Sequence, residues 1–134
     1  MSAEFDLIPN ALEVFAPIIA KHNLKIVQVE EERNFERVIL ANDTRVLTIA
    51  LDVQDGYVYV RYGRKEALSW IRGEAALDHT LLSGLEMLMH QDGVEVPSGT
   101  QELYFEKRFR EALELLAEGA LNHEAYVFGA PDWE

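Results

Sequence analysis

Apolar and polar residues alternate most regularly from Arg45 to Gly63, RVLTIALDVQDGYVYVRYG. A period of two marks strands with one buried face. The Asp55-Gly56 pair in the middle predicts a tight hairpin, because both central residues of a type I′ turn need φ > 0. A two-residue loop pairs Val53 with Val58, Leu51 with Val60 and Ile49 with Tyr62 on one apolar face. The opposite face then carries Gln54 with Tyr57, Asp52 with Tyr59 and Ala50 with Arg61, and Thr48 alongside. This register makes one side core and leaves the other to solvent.

Upstream, Ser2 to His22 reads as a helix, with Asp6 as N-cap and Pro9 in the first turn. Leu7, Ile8, Leu12, Phe15 and Ile19 supply its apolar stripe. Pro17 lacks the N–H that a helix interior needs, so the helix is either kinked there or broken into two short pieces. Asn23 suits a left-handed terminal residue. Leu24 to Glu30 is a β-branched strand candidate, followed by a polar turn from Glu30 to Asn34. Three adjacent acids, Glu30, Glu31 and Glu32, read as solvated, because neighbours in sequence point in different directions. Phe35 to Ala41 is the next strand, ending at Asn42-Asp43. A two-residue loop there puts Val38 and Leu40 on the buried face with Leu47; a three-residue loop puts Ile39 and Ala41 there. The pattern leaves both open, since both faces are apolar.

Downstream, Arg64 to Gly73 fits a short helix, a fifth strand or a loop, with Trp70 and Ile71 expected against the sheet. Glu74 to Gln91 has Leu77, Leu81, Leu85 and Leu88 at helical spacing and predicts the clearest helix, ended by Asp92-Gly93. A last helix runs to about Glu118, with Ser98 or Thr100 as cap, Phe105, Phe109, Ala112 and Leu116 facing the core, and Gly119 as its stop. Residues 129–134 read as a loose tail. The expected fold is a single α+β domain over residues 1–134: an N-terminal helix, an antiparallel meander of about four strands, and two C-terminal helices on one sheet face.

Charge narrows the classes of partner. Twenty-four acids against twelve Lys and Arg give a net charge of −12. Nucleic acid and anionic lipid both need a basic footprint, so neither is expected as a partner. A basic protein partner fits, and so does plain solubility. Apolar and charged fractions of 49% and 27% are those of a soluble globular chain. No run of eighteen apolar residues predicts a membrane span. Without cysteine there is no thiolate metal site, and a cytoplasmic setting is expected.

Two sets of side chains are candidates for function. Tyr57, Tyr59 and Arg61, with Thr48 and Asp52, form a binding-surface candidate, because tyrosine and arginine recur at interface hot spots. The alternative is that the Arg64–Gly73 segment or the tail covers that face. On the middle helix, His79, Ser83, Glu86 and His90 fall on one stripe, and His79, Glu86 and His90 are metal-ligand types. Such a stripe is also the ordinary outer face of an amphipathic helix. No phosphate loop, nucleophile elbow or assignable triad is present, so no cofactor is expected and a binding protein is favoured over an enzyme.

From Glu4 to Gly73, the order of a short helix, a strand and then VILANDTRVLTIALDVQDGYVYVRYG with its DxxDG turn resembles small acidic immunity proteins of polymorphic toxin systems. That resemblance implies a non-enzymatic inhibitor covering the active surface of a basic toxin. It carries over no functional residue. The chain also resembles secretion chaperones in size and acidity, which implies a dimer, although there a helix usually separates strands that here run consecutively. A homodimer through the sheet is a further expectation.

Overall fold

A computed structural model describes residues 5–129. The predicted meander forms the centre: β1 (Lys25–Glu32), β2 (Phe35–Ala41), β3 (Arg45–Asp52) and β4 (Tyr57–Arg64), each antiparallel to the next. A short strand, Leu82–Gly84, adds to the outer edge of β4. Between β4 and that strand lies a separate hairpin of β5 (Leu68–Ile71) and β6 (Glu74–Leu77), so the edge strand is β7. The architecture is α+β, with seven strands in two sheets among the described residues, where the sequence predicts about four.

Both faces of the central sheet bury apolar side chains, one along its length and the other at one end, under different elements. Val38, Leu40, Leu47, Ile49, Leu51, Val58 and Val60 point to one face. There they meet α1 (Leu7–Val14), α2 (Ala16–Lys21), α3 (Leu85–Gln91), α4 (Phe109–Asn122) and α5 (Glu124–Phe128). Ile39, Ala41 and Val46 point the other way and form a second, smaller core with Ala67 and Ala75, beneath the β5–β6 hairpin. This explains why the sequence pattern leaves the β2 register open. Asn42 and Arg45 close a two-residue turn at Asp43-Thr44, so Val38 and Leu40 join Leu47, while Ile39 and Ala41 are buried as well.

The β3–β4 turn differs from the prediction. Asp52 pairs with Tyr57, Leu51 with Val58 and Ile49 with Val60, a register two residues away from the expected one. The loop is the four residues Val53–Gly56. Asp52 holds it twice: its carbonyl accepts the Gly56 N–H at 2.9 Å, and its Oδ1 accepts the Asp55 N–H at 3.1 Å. Gly56 has φ +69 but Asp55 is not left-handed, which rules out type I′. A slip of two, unlike a slip of one, leaves every side chain on its predicted face. The paired left-handed residues occur instead at Arg72 (φ 53) and Gly73 (φ 81), which join β5 to β6.

The helices are more broken than their periodicity suggests. The N-terminal helix splits at Phe15, with Pro17 in the first turn of α2, where a missing N–H costs nothing. Asp6 stands at the cap position without a side-chain cap bond. Asn23 is left-handed, as expected. The predicted helix over 74–91 survives only as α3. Its first half is β6, a 3₁₀ turn at His79–Leu81 and β7, and Leu81 is exposed. The final predicted helix is interrupted too. Gln101–Phe105 is one π-helical turn, and Lys107 (φ 57) breaks the chain before α4. Phe105 is therefore 76% exposed instead of buried, whereas Phe109, Ala112 and Leu116 do reach the core. Neither Ser98 nor Thr100 acts as a side-chain cap. Gly119 does not stop α4; it lies against Met89, whose Sδ would be 2.7 Å from a Cβ placed there. Among the described residues no helix is long and apolar enough to cross a membrane. The expected loose tail, apart from Gly129, lies outside the described residues.

Candidate docking face and adjoining cleft

The face of the sheet opposite the helices divides into two zones. At one end the β5–β6 hairpin closes it. The hairpin is tied down by Gln28 of β1: its Oε1 accepts the Ala75 N–H at 2.8 Å, and its Nε2 donates to the Ala75 carbonyl at 3.4 Å. From the hairpin's border outward, cross-strand pairing lays out three rows of side chains. Glu30, Arg37, Ala50 and Tyr59 make one; Glu32, Phe35, Asp52 and Tyr57 the next; Gln28, Ile39, Thr48 and Arg61 the third. Every buried apolar side chain of the α-helices belongs to the first core and none to the second, so among the described residues no α-helix adds to the cover of this face.

The predicted surface residues thus share one face, but with unequal access. Tyr57 is 56% exposed. Tyr59 and Arg61 are half-buried, with the Arg61 guanidinium 5.5 Å from the Tyr59 ring centroid. Arg37 sits similarly at 5.4 Å over Phe35 and is ion-paired to Glu30. Burial holds the Tyr59 hydroxyl above the ordinary tyrosine range, with Arg61 and Arg37 opposing and Asp52 and Glu86 reinforcing that shift. Ala50 is wholly buried between the half-buried Arg37 and Tyr59. Two expectations need correction. Thr48 is 1% exposed between its cross-strand neighbours Ile39 and Arg61 and cannot meet a partner; its hydroxyl has no hydrogen-bond partner among the described residues. Asp52 serves the turn.

Sequence reading missed half of this face. Phe35, Arg37 and Glu30 join it only once β1 and β2 are in register. Trp70 and Ile71, expected against the sheet, are 59% and 60% exposed on the hairpin. The segment does cover the second core, but through Ala67, Leu68, Ala75 and Leu77.

The helix stripe of His79, Ser83, Glu86 and His90 does not form, because its first half is not helical. His79 lies in the 3₁₀ turn, Ser83 in β7 beside Tyr62, and only Glu86 and His90 remain one turn apart on α3. No group of three or more metal-ligating side chains comes together among the described residues. Glu86 has another role. Beyond its pairing with β7, β4 has a free edge, and Glu86 Oε1 accepts the Val60 N–H there at 3.1 Å. Burial raises the Glu86 carboxyl above its ordinary range, against its bonds to its own N–H and that of Val60 and the field of Arg61.

Past Glu86, the chain returns along the same edge as the segment Val94–Ser98, anchored where the Gly99 N–H bonds the Gly56 carbonyl at 2.8 Å. Between this segment and β4 is a cleft of about 290 Å³, lined in part by Tyr57, Glu86, His90 and Glu95. Tyr57 therefore belongs both to the sheet face and to the cleft. A larger hollow of about 450 Å³ lies at the opposite end of β4, between Arg45, Tyr62, Arg64, Glu66 and Tyr126. It adjoins the end of the described chain, where a Cβ on Gly129 would overlap the Arg45 guanidinium.

The chain matches none of the protein families, curated proteins or solved structures with which it was compared.

Proposed function

We propose that the protein is a non-enzymatic binding module that docks a basic protein on the sheet face bearing Tyr57, Tyr59 and Arg61. The observation behind this reading is the contiguous run of Tyr57, Tyr59, Arg61, Phe35 and Arg37 on the face that carries no α-helix among the described residues. Aromatic and arginine side chains bury large area with few rotors to freeze, which is why they anchor interfaces. A net charge of −12 favours a cationic partner and speeds its encounter. The narrower form of the reading is an immunity-type inhibitor that covers the active surface of a basic toxin.

The test is affinity capture from the source cell with wild-type, Tyr59→Ala and Arg61→Ala protein at low and high salt. The reading expects a basic protein held by wild type at low salt, released at high salt and lost with both variants. Recovery of no basic protein, or equal recovery by all three baits, would overturn it.

A further inference from the structure

We infer that the cleft between the free edge of β4 and Val94–Ser98 is a receptor for one cationic side chain, a lysine or arginine of the partner. This rests on the docking reading, because Tyr57 places the cleft at the border of the proposed face.

Size comes first. At about 290 Å³ the cleft falls just below the range of roughly 300–1,000 Å³ that small-molecule sites occupy. It suits a single side chain or small amine and is tight for a nucleotide-sized cofactor.

Lining chemistry decides the sign of the guest. Glu86, Glu95 and His90 line it, and no Lys or Arg does so among the described residues. Glu86 is fixed in place: Val60 holds Oε1, and Oε2 occupies room left by Gly84, where a Cβ would come within 2.7 Å. A half-buried carboxylate held by a backbone N–H gains most from a charge brought in by a ligand, since water solvates it poorly. Arg61 acts on it only through space.

The walls match the rest of such a guest. Val58, Val94 and Pro97 offer apolar surface for the methylene stem that lysine and arginine carry behind their charge. The exposed Tyr57 ring at the border can meet the cation through its face. Alternation along β4 turns the Val58 N–H and C=O the same way as the Val60 N–H, outward at the free edge, so backbone groups are also on offer.

The experiment is a ¹⁵N NMR titration with Nα-acetyl-lysine methylamide and Nα-acetyl-arginine methylamide, with the Nε-acetylated lysine analogue as neutral control. Saturable shifts at the Tyr57, Val58, Glu86 and Val96 amides are expected from a charged probe and not from the control. Glu86→Gln keeps the acceptor for Val60, so the fold should persist, and affinity should drop about tenfold for the lost charge. Glu95→Gln should weaken binding less. Absence of saturable shifts, equal binding of the neutral control, or an unchanged affinity with Glu86→Gln would overturn the inference. The two readings fail separately. If the probes bind but Tyr59→Ala and Arg61→Ala leave protein capture intact, the docking face falls and the cation cleft stands. If capture depends on Tyr59 and Arg61 while the probes leave the cleft unmoved, the reverse holds.

Discussion

Gln28 holds Ala75 as a neighbouring strand would, with its side-chain carbonyl on the Ala75 N–H and its side-chain amide on the Ala75 carbonyl. One side chain thereby substitutes for a backbone ladder and fastens the β5–β6 hairpin over the second core. Gln28→Ala should cost about 1 kcal/mol, the usual net worth of such bonding. Amide exchange at Ala75 should accelerate by more than the global loss, because the hairpin loosens first. Exchange at Ala75 that only follows global unfolding would refute the fastening role.

Thr48 buries a hydroxyl with no partner among the described residues. Thr48→Val preserves the shape and removes the unsatisfied group, so it should stabilise the protein by about 1 kcal/mol. Urea denaturation of the two proteins side by side measures this. A loss of stability would mean that the hydroxyl is bonded in solution.

Gly56 is left-handed, and a Cβ there would lie 2.5 Å from the Gly99 carbonyl carbon and 2.6 Å from the Thr100 nitrogen. Both atoms are backbone and cannot swing aside. Gly56→Ala should cost at least about 2 kcal/mol, strain and overlap together. Gly56→Asn separates the two causes: asparagine tolerates left-handed φ but still carries the Cβ. A comparable loss in both variants, read by chemical denaturation, assigns the effect to the contact.

Glu86 binds its proton more tightly in the folded chain than in the unfolded one, because burial disfavours its charge. Such a group removes stability as pH rises from its unfolded value through its folded value. Glu86→Gln should therefore melt higher than wild type at pH 7. The gap should close as pH falls below about 4.3, the ordinary glutamate value. Melting curves between pH 4 and pH 7 test the sign, and a gap that stays constant with pH would contradict it. Arg61, His90, Glu95 and the Tyr57 and Tyr59 hydroxyls are the other titratable or charged groups around this carboxyl among the described residues.

Phe105 and Phe109 are one helical turn apart in sequence and opposite in burial. Phe105→Ser should change stability by less than about 0.5 kcal/mol, as surface substitutions do. Phe109→Ala should cost about 3–5 kcal/mol, the range for an emptied core phenylalanine. Equal losses would mean that one continuous helix buries both.

What the sequence alone decided is local. Alternation from Arg45 to Gly63 sorted the side chains of β3 and β4 to their correct faces, even with the turn misread, because only parity matters there. Pro17 and Asn23 marked where helix ends. The tyrosines and Arg61 were placed on one face for the same reason. What the tertiary structure decided depends on partners distant in the chain. Leu77, Leu81, Leu85 and Leu88 have helical spacing, yet half of that stretch is drawn into strands. There Ala75 can bond Gln28, Leu82 can cover Gly63, and the apolar Ile39, Ala41 and Val46 can be shielded from water. Periodicity records how a segment would bury its own apolar side. It does not record which other surface remains to be covered, and here that demand, from the second face of the sheet, outweighed helical spacing and moved Glu86 from a supposed metal stripe to the edge of β4.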